Sequence, residues 1–449
     1  MTDKTVLFML HALGSSARAW SGVVASLDTG FEAIPIDLPG FGEQRDATES
    51  GVVGMADHVA SVVRERGATR WLLVGHSMGG KIASIIASRA LAGEPGLFGL
   101  AGVVLLAASP PSPEPMEEDR RRKMIAWATQ GPLDQAAARA FVDGNTGGPL
   151  DPQADRLALQ DLQQTSPQAW LAWLERGSRE DWSGQVGTLD LPALIIVGGS
   201  DGDLGEAGQR QTNALVYPRS TIVVEQGAGH LLPLERPVEV ASHIASFWSG
   251  QAGVGPAVAE PFARLIASSR VGRRMRAALA CRAIADDPAY APALLTQKQL
   301  QTLRAVADCV VPQTGQAIDL AARLDARLAS GKGDGWRFAD LPPDGQAYAA
   351  ALDGLADFGD LGDGERHARL TELAHGEFAV AGLTAPQMKL WFEDLRSDLV
   401  RIWVAHPATM AGIGFDGFAN GGDGVRKQGF ERLGADQHEA WEPMMEVVR

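Results

Sequence analysis

Cysteine is nearly absent from this chain: Cys281 and Cys309 are the only two in 449 residues. Two thiols close one bridge at most, which excludes a disulfide framework and makes a reducing, cytoplasmic setting the expectation. Basic charge is also short. Forty Lys and Arg stand against 55 Asp and Glu, a net charge of −15. Nucleic acid and anionic membrane surfaces would repel such a chain, so neither is expected as a partner. No apolar run reaches the 18 or so residues a membrane helix needs, and MTDKTVLFMLHALG lacks the apolar stretch and cleavage site of a signal peptide. There is no GxGxxG after a strand, no P-loop, no clustered metal ligands, no repeat and no long low-complexity tract. No cofactor or metal is therefore expected. His367, His375, His406 and His438 are scattered, and each is expected at the surface or the edge of a core. Cys309, in the apolar stretch ADCVVP, is expected to be buried as a small hydrophobe.

What the chain does have is apolar residues, 45% of the total, over a length comfortable for two domains. Up to about Gly250, TVLFML, FEAIPID, WLLVG, AGVVLLAA, ALIIVGG and STIVVE are continuous apolar runs. Such runs are expected of strands covered on both faces. KIASIIASRALA and PVEVASHIASFW have helical period, and the alternation predicts an α/β domain with a parallel sheet over residues 1–250. The pattern breaks after Ser109. SPPSPEP is followed by four helical stretches carrying Trp127, Trp170, Trp173 and Trp182. These predict a helical lid at about 110–186. The charge run EEDRRRK within it is expected to be a solvated helix face.

Residues 250–261 are rich in Gly and Pro and read as a linker. RVGRRMRAALACR follows as a basic helix, expected to be solvated, so that 251–289 is a connecting segment. From 290 to 449 strand signals almost vanish and a mainly α-helical domain is predicted.

The strongest motif is WLLVGHSMGGK at 71–81. Gly75-x-Ser77-x-Gly79 follows a strand and opens a helix, the context in which a serine is held up on a tight turn. ALIIVGGSDGD places Asp201 just past a late strand, and GAGHLLPLERP places His230 after the next one. In the order Ser77, Asp201, His230, the imidazole would take the serine's proton while the carboxylate orients it. Asp203 competes with Asp201, which lies closer to the strand end.

At LHALGSSARAW, DLPGFGEQ, GHSMGGK and GAGHLLPLERP the chain resembles the α/β-hydrolase family over residues 1–250. The resemblance implies an α/β-hydrolase fold and a serine hydrolase working through an acyl-enzyme. It also implies an oxyanion hole from the N–H groups of Leu13 and Met78. The family's glycine after the first-strand histidine is Ala12 here, so either the turn stays within alanine's backbone range or the oxyanion loop is shifted, and the intact Gly14-Ser15-Ser16 favours the first. Carboxylic ester or lactone hydrolysis leads. Carbon–carbon bond hydrolysis and perhydrolysis share the triad. His11, His76, Trp127, Trp170 and Trp173 are candidates for the substrate pocket.

LLTQKQLQTLRAVADCVVP, then HPATMAGIGFDGFANGGDGVRKQGFERLG and HEAWEP, resemble the small subunit (subunit 3) of gluconate 2-dehydrogenase-type enzymes over about 290–445. That resemblance implies a flavin-dependent dehydrogenase large subunit as partner, although the twin-arginine export signal and the family's usual ending are absent. A lactonase tethered to such an enzyme could open the lactone where it forms. A non-catalytic accessory subunit is the rival reading.

Overall fold

The computed structural model describes residues 4–48, 51–331, 338–415 and 417–418. It divides into two units, one formed by Met1–Gly253 with Ala259–Ala285, the other by Asp286–Phe415 with Val254–Val258.

The first unit is built on a six-stranded parallel sheet. Its strands are β1 (Thr5–Leu10), β2 (Phe31–Ile36), β3 (Trp71–His76), β4 (Leu100–Leu106), β5 (Ala193–Gly198) and β6 (Ser220–Glu225). The spatial order is β2-β1-β3-β4-β5-β6. Side chains alternate across a strand, so each continuous apolar run feeds two cores. Val6, Phe8 and Leu10 of β1 join Leu73 of β3, Leu105 of β4 and Ile195 of β5 on one face. Leu7 and Met9 join Leu72, Val74, Val104 and Ile196 on the other. The edge strands depart from the fully buried reading: β2 buries only its two end residues and β6 none. Chain order reverses between β1 and β3, and the loops after those two strands leave the sheet at its carboxyl end. A crevice for ligands is expected at that place.

Four longer helices lie between β4 and β5, Glu118–Ala128, Gln135–Asp143, Pro152–Gln164 and Pro167–Glu175, followed by the short turns Gly177–Arg179 and Ser183–Val186. Asp134, Asp151 and Ser166 cap the last three of the four longer helices through their side chains, and proline occupies the first turn of two of them. The charge run is a solvated face except at Arg121. Arg121 is buried, and its guanidinium donates to the Leu174 carbonyl at 3.0 Å and to Ser178 Oγ. It lies on the same side of its helix as the buried Met124 and Ala128. Lys81, fully buried in the helix Met78–Leu91, donates to the carbonyls of Gly177 at 3.1 Å and Glu180 at 2.8 Å. Burial pulls its pKa down to about 8. Lys81 ties the end of the insert to the body, and Arg121 ties the insert's first helix to that end.

Most of the segment expected to be a connector, Ala259–Ala285, also belongs to this unit. In its basic helix, Arg273–Ala283, Arg276 is 1% exposed and donates to the carbonyls of Gly93 and Ser268, each at 2.8 Å, and to that of Val271. A guanidinium that satisfies three carbonyls docks one face of the helix, while Arg273, Arg274 and Arg282 remain exposed on the solvated face.

The second unit is helical, with Gln297–Val310, Leu320–Ala329, Asp344–Gly354, Asp363–His375 and Ala385–Ala405 around Leu300, Leu324, Phe358 and Trp391. Capping boxes at Thr296 with Gln299 and Thr384 with Gln387 start two of them. Asp325, fully buried, accepts N–H groups from Ala293 at 2.6 Å, Leu294 at 3.2 Å and Leu295 at 2.7 Å, and the Tyr290 hydroxyl at 2.7 Å. His406 is not at an edge: it is buried and caps the helix Pro407–Gly412 through Nδ1. Burial lowers its pKa to about 3. His367 and His375 are exposed. Cys309 is half-buried rather than buried, packed against the core's rim, and both cysteines are free. His438 and most of the glycine-rich tail lie outside the described residues. No described helix is long and apolar enough to cross a membrane.

Candidate active site

β3 ends in the turn that carries Ser77. Its backbone sits at φ 50°, ψ −117°, a region that L-residues rarely occupy. The turn closes because glycine flanks it. A Cβ on Gly75 would lie 2.7 Å from the Gly79 carbonyl oxygen, and one on Gly79 would lie 2.6 Å from that of Leu10. Both approaches are to backbone, so neither can give way. Ser77 N–H donates to the Leu106 carbonyl and its own carbonyl accepts from Ser109 N–H, each at 2.9 Å. The serine is thus clamped to the end of β4. The helix Met78–Leu91 begins at the next residue, and its first N–H groups have no intrahelical acceptor. They favour negative charge at this point.

The loop after β6 delivers His230. Its backbone N–H donates to the Asn145 carbonyl of the insert at 2.8 Å. Its carbonyl accepts from His76 Nε2 at 2.7 Å. Glu235 accepts the N–H groups of Gly229 and Leu231 on either side. The ring's Nδ1–H donates to Asp201 Oδ2 at 2.8 Å, in the loop after β5. Asp203, the competing acid, instead stands 3.9 Å from Arg120. Burial alone would lower the His230 pKa, but the Asp201 charge and hydrogen bond outweigh it and hold it above the ordinary value. Asp201 feels the converse: burial pushes its pKa up, and the His230 charge and hydrogen bond bring it below the usual range.

The loop after β1 approaches from the other side. Among the described non-glycine residues only Ser77 and Ala107 have positive φ, so Ala12 keeps an ordinary backbone. The left-handed conformation falls on Gly14 instead, at φ 73°. A Cβ there would lie 2.9 Å from the Trp170 ring. The alanine that departs from the family pattern therefore strains nothing.

One cavity of about 40 Å³ brings Ser77, Asp201 and His230 together with Ala12, Leu13 and, from the insert, Met124, Phe141 and Trp173. Of the five pocket candidates, only Trp173 lines it. His11 is fully buried; its Nδ1–H donates to the Ala12 carbonyl at 2.8 Å and its Nε2 accepts Leu38 N–H at 3.0 Å. Both ring nitrogens are used to hold the loop, and burial lowers its pKa. His76 is spent on the His230 carbonyl; burial and the neighbouring His230 charge take its pKa to about 3. Trp170 is core, donating to the Met124 carbonyl at 2.8 Å. Trp127 is half-buried beside Lys123. Three cavity residues carry no motif in the sequence: Glu114, Arg120 and Asn145. Among the described residues no group of His, Cys, Asp and Glu could hold a metal ion.

A strained serine on a glycine-walled turn, at the carboxyl end of a parallel sheet, is matched by a family model, "Alpha/beta hydrolase family", over residues 7–243. The chain belongs to this family. The hydrolase is 26% identical over 255 residues to a pimeloyl-[acyl-carrier protein] methyl ester esterase of Edwardsiella ictaluri, covering 55% of this chain and 95% of that protein. It is 27% identical over 251 residues to a 2-succinyl-6-hydroxy-2,4-cyclohexadiene-1-carboxylate synthase of Serratia proteamaculans, covering 55% and 93%. An esterase of Exiguobacterium antarcticum superposes at a TM-score of 0.49 with 18% identity, over 56% of this chain and 94% of that one.

Proposed function

We propose that the protein hydrolyses small carboxylic esters or lactones through an acyl-enzyme on Ser77, with His230 as the base and Asp201 as its orienting acid. The reading rests on one observation above all: the His230–Asp201 hydrogen bond of 2.8 Å beside the strained Ser77, on a single cavity. His230 Nε2 takes the proton as Ser77 Oγ attacks the acyl carbon. The oxyanion forms against the N–H groups of Leu13 and Met78, each contributing about 3 kcal/mol to the tetrahedral state. The acyl–oxygen bond then breaks, and the leaving alkoxide takes the proton from His230. Water adds to the acyl-enzyme with His230 again as base, and the acid departs from Ser77. The small cavity, closed by Trp173 and Phe141, supports short acyl groups.

The test is a panel of short aryl esters and small lactones with the wild type and Ser77→Ala. Turnover in the wild type is expected to fall by about 10⁴-fold or more in the variant. Equal rates in the two proteins would overturn the reading.

A further inference from the structure

The cavity contains one acid that the triad does not use. Glu114 lies in the proline-rich segment between β4 and the insert, is 8% exposed, and lines the same cavity as Ser77 and His230. Its backbone N–H donates to the Ser178 carbonyl at 2.7 Å. Its Oε2 accepts from Ser109 Oγ. Ser109 in turn gives its backbone N–H to the carbonyl of Ser77 at 2.9 Å. Glu114 is thereby fixed two links from the nucleophile.

Its other oxygen, Oε1, accepts no hydrogen bond from the described residues. Nor is it among the sealed side-chain atoms that lack a partner, which are Trp20 Nε1, Arg139 Nε, Asn213 Oδ1, Arg219 Nε and Trp391 Nε1. An oxygen that is neither paired nor sealed, on a side chain that lines the cavity, opens into the cavity. A carboxylate oxygen left open in this way can accept from a donor that arrives with the ligand.

The reaction itself selects the donor. The chemistry proposed above supplies a hydroxyl on the acyl side. When Ser77 opens a lactone, the acyl chain left on the serine carries the freed hydroxyl.

We propose that Glu114 Oε1 accepts a hydrogen bond from a hydroxyl on the acyl chain, so that the enzyme selects short hydroxyacyl substrates. This rests on the ester or lactone reading of the site. The experiment compares aryl esters of butyric, 3-hydroxybutyric and 3-aminobutyric acid, all with the same leaving group. Each is measured with the wild type, Glu114→Gln, Glu114→Met and Ser77→Ala. In the wild type the hydroxy ester is expected to exceed the plain ester in kcat/KM by about tenfold or more. The ratio should fall in both Glu114 variants and approach one in Glu114→Met. Because it is taken within one protein, a loss of folded enzyme cancels. A wild-type ratio near one overturns the proposal. So does a preference for the amino ester, or a ratio unchanged in whichever Glu114 variant folds. Hydrolysis that survives Ser77→Ala would instead refute the acyl-enzyme reading, and no hydrolysis of any ester by the wild type would remove both.

Discussion

Each unit buries a carboxylate, and the two are used differently. Asp325 in the helical unit is fully buried with four donors on its two oxygens, three backbone N–H groups and the Tyr290 hydroxyl. Glu114 in the hydrolase unit has one oxygen on Ser109 and lines the cavity that also holds Ser77 and His230. A buried acid whose lone pairs are all taken holds chain segments together. One with an oxygen left toward a cavity is placed for a ligand. The histidines divide in the same way. His11, His76 and His406 spend their ring nitrogens on backbone and stay neutral under burial. His230 and His243 are instead paired through their rings with carboxylates, Asp201 and Glu225, and His230, the one of the two on the cavity, has a raised pKa.

The largest expected break in this comparison is at the histidine's partner. Asp201→Asn should lower kcat/KM by about 10³- to 10⁴-fold, because the imidazole loses its orienting anion. Asp203→Asn, whose carboxylate faces Arg120 instead, should cost about tenfold at most. Reversal of that order in ester assays would move the acid to Asp203. The same assays carry a pH signature. His230 must be unprotonated to take a proton, so the rate falls as pH drops through its pKa. That pKa is raised, so the acid limb should lie above the ordinary histidine value of 6.5. His76, at about 3, does not contribute to it.

A smaller change sharpens the structural half of the comparison. Asp325→Ala strands three buried N–H groups and a tyrosine hydroxyl, costing on the order of 3 kcal/mol or more. The melting transition of the helical unit should fall by about 10 °C. The Ser77 site is built entirely within the other unit, so ester turnover should remain within about twofold at temperatures where both forms are folded. A loss of turnover with no change in melting would contradict the assignment of Asp325 to scaffolding.

Much of this was legible in the sequence where local rules are strict. The six apolar runs are the six strands: the four central ones are covered on both faces and are apolar throughout most of their length, while β2 and β6 at the edges are only partly buried. Ser77, Asp201 and His230 stand out because the turn and the strand ends fix their places. The glycine-poor turn at Ala12 stays within ordinary angles, since Gly14 takes the left-handed position. What escaped depends on helix phase and on distant partners. Arg121 reads as one more charge in EEDRRRK unless its alignment with Met124 and Ala128 is noticed. Arg276 aligns with Leu279 and Ala280 in the same way, and its carbonyl partners lie elsewhere in the chain. Glu114 between two prolines carries no local mark at all. Its meaning comes from Ser109 and from the cavity. His11 and His76 were read as pocket residues because they adjoin the site in sequence. Their hydrogen bonds turn them instead toward the backbone that holds it.

The most direct test of the central claim is covalent. The wild type is mixed with a short-chain aryl ester, quenched in acid within the first turnover, digested, and examined by mass spectrometry. The account predicts an acyl group on the peptide containing Ser77, and none on that peptide in Ser77→Ala. An acyl group on another residue, or steady ester hydrolysis with Ser77 never acylated, would contradict it.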